Sequence, residues 1–386
     1  MTAPLDQGES ATTTALPFTP DQCLRLVVKI GSSLLIDPDG SVRRDWLASL
    51  VADMAARHRA GQRVIIVSSG AIALGARRLK LPKGGRASLE DAQAAAATGQ
   101  IALSQVWADL LSAEGLTAAQ ILVTLDDLED RRRYLNASAT LDRLITLGVV
   151  PVINENDSVA TTEIRFGDND RLAARVAQAA SANGVLLLSD VDGLFDANPG
   201  RVPDAKLIPR VEVIDASIVA MATGDTASGM GSGGMASKIE AARIATSAGI
   251  ALAILSGKRL SPLSAFDADG RGTLFTAVKA SRARKAWLAG RLTVKGRILV
   301  DEGAARALRS GKSLLAAGMT GVEGNFMRGE VIDIVSADGM TLARGLSEYN
   351  SRDAATISGK RSAELADLLG YSPRSAVVHR DHMVML

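Results

Sequence analysis

Short runs of aliphatic and β-branched residues recur between residues 24 and 260: "LRLVVKI" (24–30), "RVIIVSS" (63–69), "AAQILVT" (118–124), "GVVPVI" (148–153), "GVLLLSD" (184–190) and "IALAILS" (250–256). Continuous apolar runs of this length predict strands buried on both faces. Ala-rich stretches between most of them predict helices over 45–60, 89–112, 131–147, 171–182 and 236–248. The last-but-one places Leu172, Val176, Ala179 and Ala180 on one face at helical spacing. Strands alternating with helices predict an α/β fold, a three-layer sandwich around a mainly parallel central sheet. Ligands of such sheets bind beyond the carboxyl ends of the strands.

From about residue 281 the texture changes. Glycine recurs between short alternating runs, as in "TGVEGNFMRGEVIDIV", which predicts a small, mostly β domain. We therefore expect a disordered leader over 1–20, a first domain over 21–280, a linker around "ASRARKAW", and a second domain over 291–386. Few contacts are expected to cross that boundary.

Composition narrows the function classes. The single cysteine, Cys23, excludes an internal disulfide and suits a reducing compartment, hence a cytoplasmic protein. The first twenty residues contain no Lys or Arg and no apolar core, unlike a signal peptide. No run of 18 apolar residues occurs, so no membrane span is expected. Residues 281–386 carry 16 basic and 11 acidic side chains, against 28 and 31 before them. That balance permits nucleic-acid contact by the second domain without requiring it.

Polar motifs cluster at the strand ends. "VVKIGSSLL" sets Lys29 before Gly31, an arrangement suited to phosphate and equally to a lysine capping an edge strand. "VSSGAIALG" sets Ser69 and Gly70 before a helical stretch, where an N-cap serine is the simpler reading. "SGMGSGGMASK" (228–238) places four glycines in six residues ahead of a helix opening near Met235, with Lys238 in its first turn. A cation at the positive end of a helix dipole calls for a compensating anion, and the glycines suit a loop that wraps phosphates with its backbone. No Walker A loop is present: the one Gly-Lys-Ser, at 311–313, has Arg306 where the upstream glycine is required. "HRD" (379–381) ends five residues before the chain does, so it is no kinase catalytic loop. His379 and His382 lack the cysteine cluster of a structural zinc site.

Between Asn154 and Asp170 lie five carboxylates and three amides, with Arg165 the one cation. Asp168 or Asp170 as an N-cap accounts for part of this density. The whole suits a zwitterion: an ammonium needs a carboxylate such as Asp157, and carboxylates need neutral donors such as Asn154, Asn169 and Ser69. Ser189 and Asp190, after the fifth strand, form either a turn or a nucleotide contact.

Together "VVKIGSS", "SSGAIALG", "EDRRRYLNA", "PVINENDSVAT", "FGDND", "LLLSDVDGL" and "GMGSGGMASK" stand in the order of the amino-acid kinase family, and the chain resembles its glutamate-phosphorylating members from residue 24 onward. "ILVDEGAARAL", "GNFMRGEVI" and "GLSEYNSRDA" are similar to the PUA domain. The leader has no counterpart in that pattern. The resemblance implies an amino-acid kinase fold and transfer of the ATP γ-phosphoryl group to the side-chain carboxylate of L-glutamate, the first step of proline biosynthesis. It implies Mg²⁺ bridging the β- and γ-phosphates, feedback inhibition by proline, and a homo-oligomer, dimer or tetramer. Residue by residue, it implies Lys29, Lys238 and Asp170 as catalytic groups. Ser69, Gly70, Asn154, Asp157 and Asn169 would hold the substrate. Lys29, Ser189, Asp190, Ser232, Gly233, Gly234, Met235, Ala236, Ser237 and Lys238 would hold ATP, with no metal ligand supplied by the protein. Two alternatives stand beside this reading: a related kinase acting on another carboxylate or phosphate acceptor, and an RNA-binding protein built on the PUA module.

Overall fold

The structure, a computed structural model, describes residues 16–37, 40–159, 168–223, 234–277, 293–374 and 376–386. Its first domain is built on eight strands: β1 (Arg25–Ile30), β2 (Arg63–Ser68), β3 (Ala118–Val123), β4 (Val150–Glu155), β5 (Gly184–Ser189), β6 (Arg210–Val211), β7 (Ala251–Ser256) and β8 (Gly272–Phe275). They lie in the order β3-β4-β2-β1-β5-β7-β8-β6. Every neighbouring pair is parallel except β7 with β8. The expected parallel sheet is present, extended by the short pair β6 and β8, which hydrophobic runs did not mark. The helices are α1 (Ser32–Leu35), α2 (Arg44–Arg59), α3 (Ala71–Arg78), α4 (Leu89–Ala113), α5 (Leu125–Glu129), α6 (Arg131–Thr146), α7 (Asn169–Ala179), α8 (Ala216–Thr223), α9 (Met235–Ser247) and α10 (Pro262–Asp269).

The two-residue period of the strands divides the core. Leu26, Val28 and Ile30 of β1 pack with Leu47 and Leu50 of α2 and Trp107 of α4. Val27 faces the other way, with Leu172 and Ala173 of α7 and Ala241 and Ala242 of α9. Lys29 shares the phase of Val27 and so belongs to the α7 and α9 side. That choice of face brings it to the two helices that carry Asp170 and Lys238.

The expected leader is corrected at its end. Phe18 is fully buried with Cys23, Leu26 and Phe266, and its carbonyl accepts from Arg57 Nη1 at 2.8 Å and Gln62 Nε2 at 3.0 Å. An aromatic side chain recovers enough apolar burial to hold this turn against the domain. Residues 1–15 lie outside the described residues, as does the linker stretch 280–287.

The second domain has its own sheet, β10 (Met319–Gly324), β9 (Gly296–Val300), β11 (Val331–Ser336), β12 (Thr341–Leu346) and β13 (Met383–Met385) in that spatial order. Its separate core includes Ile298, Ile334, Leu342 and Tyr349, which makes it the mostly β unit expected. The boundary is less bare than expected. Leu135 of α6 is buried with Val331 and Leu346, Arg328 Nη1 donates to Asn136 Oδ1 at 2.7 Å, and Ser138 Oγ lies 3.3 Å from His382 Nε2. The helix opening within "EDRRRYLNA" therefore presents an apolar residue outward to the second domain.

Candidate active site

The carboxyl ends of β1, β2, β4 and β5 converge where α7 and α9 begin. Asp168 caps α7, its side chain accepting from Arg171 N at 3.2 Å. This leaves Asp170 inside the first turn with a different task. Asp170 Oδ1 lies 2.6 Å from Lys29 Nζ, and Oδ2 accepts from Lys238 Nζ at 2.9 Å. All three are buried, with exposures of 1% for Asp170 and 6% for each lysine. Burial pushes the Asp170 carboxyl up, yet Lys29 and Lys238 outweigh it and hold the carboxyl below its ordinary range. Burial pulls Lys29 below its ordinary value against the opposing attraction of Asp170, with Lys238 adding to the lowering.

Two sequence alternatives close here. Lys29 caps no edge strand, because β1 lies between β2 and β5 in mid-sheet. The anion that compensates Lys238 at the start of α9 is first of all Asp170, a residue of the chain. Two buried lysines thus meet at one buried carboxylate in a dry setting.

The α9 turn is drawn to the same place by Ser237, whose hydroxyl donates to Asp168 Oδ1. Gly234 is the N-cap of α9 and carries no side chain to satisfy its amides. Met235 is half-buried and Ala236 exposed beside it. Ser232 and Gly233, with the rest of the loop from 228, lie outside the described residues. Ser189 is buried at the end of β5 and donates to Asp190 Oδ1 at 3.1 Å; Asp190 is exposed.

Beside the lysines lies a cluster of acids and amides. Ser69 is not an N-cap. The cap of α3 is Gly70, at φ 103°, a left-handed conformation that disfavours any side chain. Ser69 Oγ instead accepts from Asn169 Nδ2 at 2.7 Å. Asn169 Nδ2 also lies 3.1 Å from Asn154 Oδ1. Asp157 is buried, which pushes its carboxyl up to about 6 against the pull of Arg86. Its Oδ1 and the Oδ1 of Asn169 are buried with no hydrogen-bond partner. Glu163 and Arg165 of the same acidic stretch lie outside the described residues.

Three contributors had no motif to announce them. Gln100 of α4 accepts from Asn154 Nδ2 at 2.8 Å. Trp107 Nε1 donates to Ser68 Oγ at 2.9 Å and ties the end of β2 to α4. Arg86 acts on Asp157 through its charge. All three come from a segment that reads in the sequence as plain helix or connection.

Among the described residues no group of three or more His, Cys, Asp or Glu could hold a metal ion. Also among the described residues, no helix is long and apolar enough to cross a membrane.

Comparison with known proteins identifies the family. Residues 24–256 match the Amino acid kinase family and residues 296–369 the PUA domain. A curated protein of Zymomonas mobilis named Glutamate 5-kinase is 65% identical, covering 98% of this chain and 96% of its own length. A Glutamate 5-kinase of Sphingopyxis alaskensis is 68% identical, covering 96% of this chain and 99% of its own. One of Novosphingobium aromaticivorans is 61% identical over 94% and 96%. The chain belongs to the amino acid kinase family, among the glutamate 5-kinases, and carries a PUA domain toward its C-terminus.

Proposed function

We propose that the chain transfers the γ-phosphoryl group of ATP to the side-chain carboxylate of L-glutamate, giving γ-glutamyl phosphate and ADP, the first step of proline biosynthesis. A carboxylate oxygen forms the new bond to phosphorus while the bond to the β,γ-bridging oxygen breaks. The nucleophile is already an anion at neutral pH, so no general base is needed. The obstacle is repulsion between two anions, and positioning and charge neutralisation carry the catalysis. The observation that carries this reading is the buried pair of lysines on Asp170, beside a cluster of acids and amides with unpartnered acceptors.

In this reading Lys29 and Lys238 face the transferring phosphoryl group, and Asp170 fixes their spacing. Amides near Gly31 and Gly70 meet developing oxyanion charge. Asp157 and Asn169 receive the ammonium of glutamate, with Ser69 and Asn154 supporting them. Ser189, Asp190 and residues 232–238 hold ATP, and Mg²⁺ travels with its phosphates. A cytoplasmic location, a homo-oligomeric state and inhibition by proline belong to the same reading.

The test is a parallel assay with ATP and Mg²⁺ and four acceptors: glutamate, N-acetylglutamate, aspartate and UMP. Glutamate alone is expected to support rapid ADP formation with a product that hydroxylamine converts to a hydroxamate. Turnover of N-acetylglutamate but not glutamate would overturn the reading, because acetylation removes the ammonium.

A further inference from the structure

A chain of three side-chain amides links α4 to α7 by way of β4. Gln100 Oε1 meets Asn154 Nδ2 at 2.8 Å, and Asn154 Oδ1 meets Asn169 Nδ2 at 3.1 Å. Two backbone groups, which cannot flip, fix the direction of every link. The amide of Glu155 only donates, and it donates to Asn154 Oδ1 at 2.9 Å. Asn154 must therefore turn its NH₂ toward Gln100, which can answer only with its oxygen. The carbonyl of Ser68 only accepts, and it takes Asn169 Nδ2 at 3.2 Å. Asn169 thus spends its NH₂ inward, on Ser68, Ser69 and Asn154, and the atom left over is its oxygen.

That oxygen and Asp157 Oδ1 are both buried without a partner. Buried acceptors are costly to leave unsatisfied, so each calls for a donor. A primary ammonium, with three N–H groups and a positive charge, suits such acceptors better than a second carboxylate does. Gln100 is held at a set depth by its neighbour. A Cβ on Gly99 would lie 1.8 Å from the carbonyl oxygen of Ala71, and one on Gly75 would lie 1.7 Å from that of Ala95. Helices α3 and α4 therefore pack backbone against backbone directly behind the site.

We propose that Gln100 is a positioning residue for ammonium recognition. Its oxygen anchors Asn154, and Asn154 in turn holds Asn169 with its carbonyl oxygen presented to the α-ammonium of the acceptor substrate. The inference rests on the glutamate reading above and deepens it. Gln100 touches neither substrate nor reacting atoms, so its effect falls on glutamate binding and not on the chemical step.

The test compares wild type with Gln100→Met, which removes the acceptor, and Gln100→Glu, which keeps one. The KM for glutamate and for ATP, kcat, and the inhibition constant of glutarate, the same dicarboxylate without the amino group, are measured on proteins matched by circular dichroism. Gln100→Met is expected to raise the glutamate KM by about 10–100-fold with ATP KM and kcat changed less than about 3-fold, the pattern of lost ground-state binding. Glutarate inhibition should barely move, and Gln100→Glu should recover most of the loss. If Gln100→Met does not fold, Gln100→Asn, which withdraws the oxygen by one methylene, takes its place. Equal weakening of glutamate and glutarate, or equal damage in the Met and Glu variants, would overturn the proposal alone. A wild-type enzyme inert toward glutamate would overturn both this inference and the function on which it rests.

Discussion

Lys29 and Lys238, from the first strand and from a helix near the end of the same domain, are held by the two oxygens of one carboxylate, at 2.6 Å and 2.9 Å. The carboxylate belongs to Asp170, and the spacing of its oxygens sets the spacing of two cations that would otherwise repel. This geometry fixes two ammonium groups side by side in the free protein.

Removing either lysine should therefore damage the chemical step. Lys29→Ala and Lys238→Ala are each expected to lower kcat by on the order of 10²–10³, as loss of a charge-stabilising donor does. Asp170→Asn should act differently, since it removes the buried carboxylate that both lysines share. We expect a loss of stability of about 3–5 kcal/mol as well as of activity, measured by urea unfolding alongside steady-state kinetics. An Asp170→Asn protein of wild-type stability would show that the lysines do not depend on it.

Asp157 gives the reverse pattern. Its carboxyl is pushed up to about 6 by burial, above the unfolded value, so between about pH 4 and 6 the folded chain binds more protons than the unfolded one. Stability from this group is therefore fully present below about pH 4 and is lost as pH rises through 6. Asp157→Asn should leave stability unchanged at pH 4 and raise it at pH 8 by on the order of 2 kcal/mol. Thermal melts at the two pH values check this. A variant less stable at pH 8 would mean that Asp157 is paired in the free protein.

The same carboxyl predicts how glutamate binding responds to pH. Only the ionised form attracts an ammonium, so the KM for glutamate should rise as pH falls through about 6, while the KM for ATP stays level. In Asp157→Asn the glutamate KM should be high and flat across that range with kcat largely kept. A wild-type profile that is flat from pH 7 to 5 would remove Asp157 from ammonium binding.

The second domain should support rather than perform the reaction, since the described strand-end groups all precede residue 257. A chain ending near residue 284 is expected to keep hydroxamate formation. It should also melt earlier than the full chain, because Leu135 loses its cover by Val331 and Leu346. A truncated protein that is folded by circular dichroism and inactive would show that the PUA domain helps to build the site. The isolated fragment 285–386 binding RNA tightly, with a steep salt dependence, would favour a nucleic-acid role for it.

The strands were legible because a parallel sheet buried on both faces demands unbroken apolar runs, and Leu26 to Val28 or Val185 to Leu188 can hardly read otherwise. Lys29, Asp157, Asp170 and Lys238 were legible because charge beside such runs is costly without a purpose. Gln100 was not. It lies 54 residues from Asn154, and a glutamine in a helix looks the same whether it faces water or an amide. Leu135 and Phe18 escaped notice for a related reason: one apolar residue in a polar stretch carries no period, and only the partner surface shows what it is for.

Isotopic labelling tests directly whether a glutamate side-chain oxygen attacks the γ-phosphorus of ATP. Glutamate labelled with ¹⁸O in its side-chain carboxylate, ATP and Mg²⁺ are supplied with the full-length enzyme, and hydroxylamine traps the acyl phosphate. Hydroxylamine attacks the carbonyl carbon and breaks the carbon–oxygen bond, so the bridging oxygen leaves with phosphate. One ¹⁸O is expected in each inorganic phosphate released, in step with ADP and γ-glutamyl hydroxamate, read by mass spectrometry. Phosphate free of label, or ADP formed without hydroxamate, would contradict it.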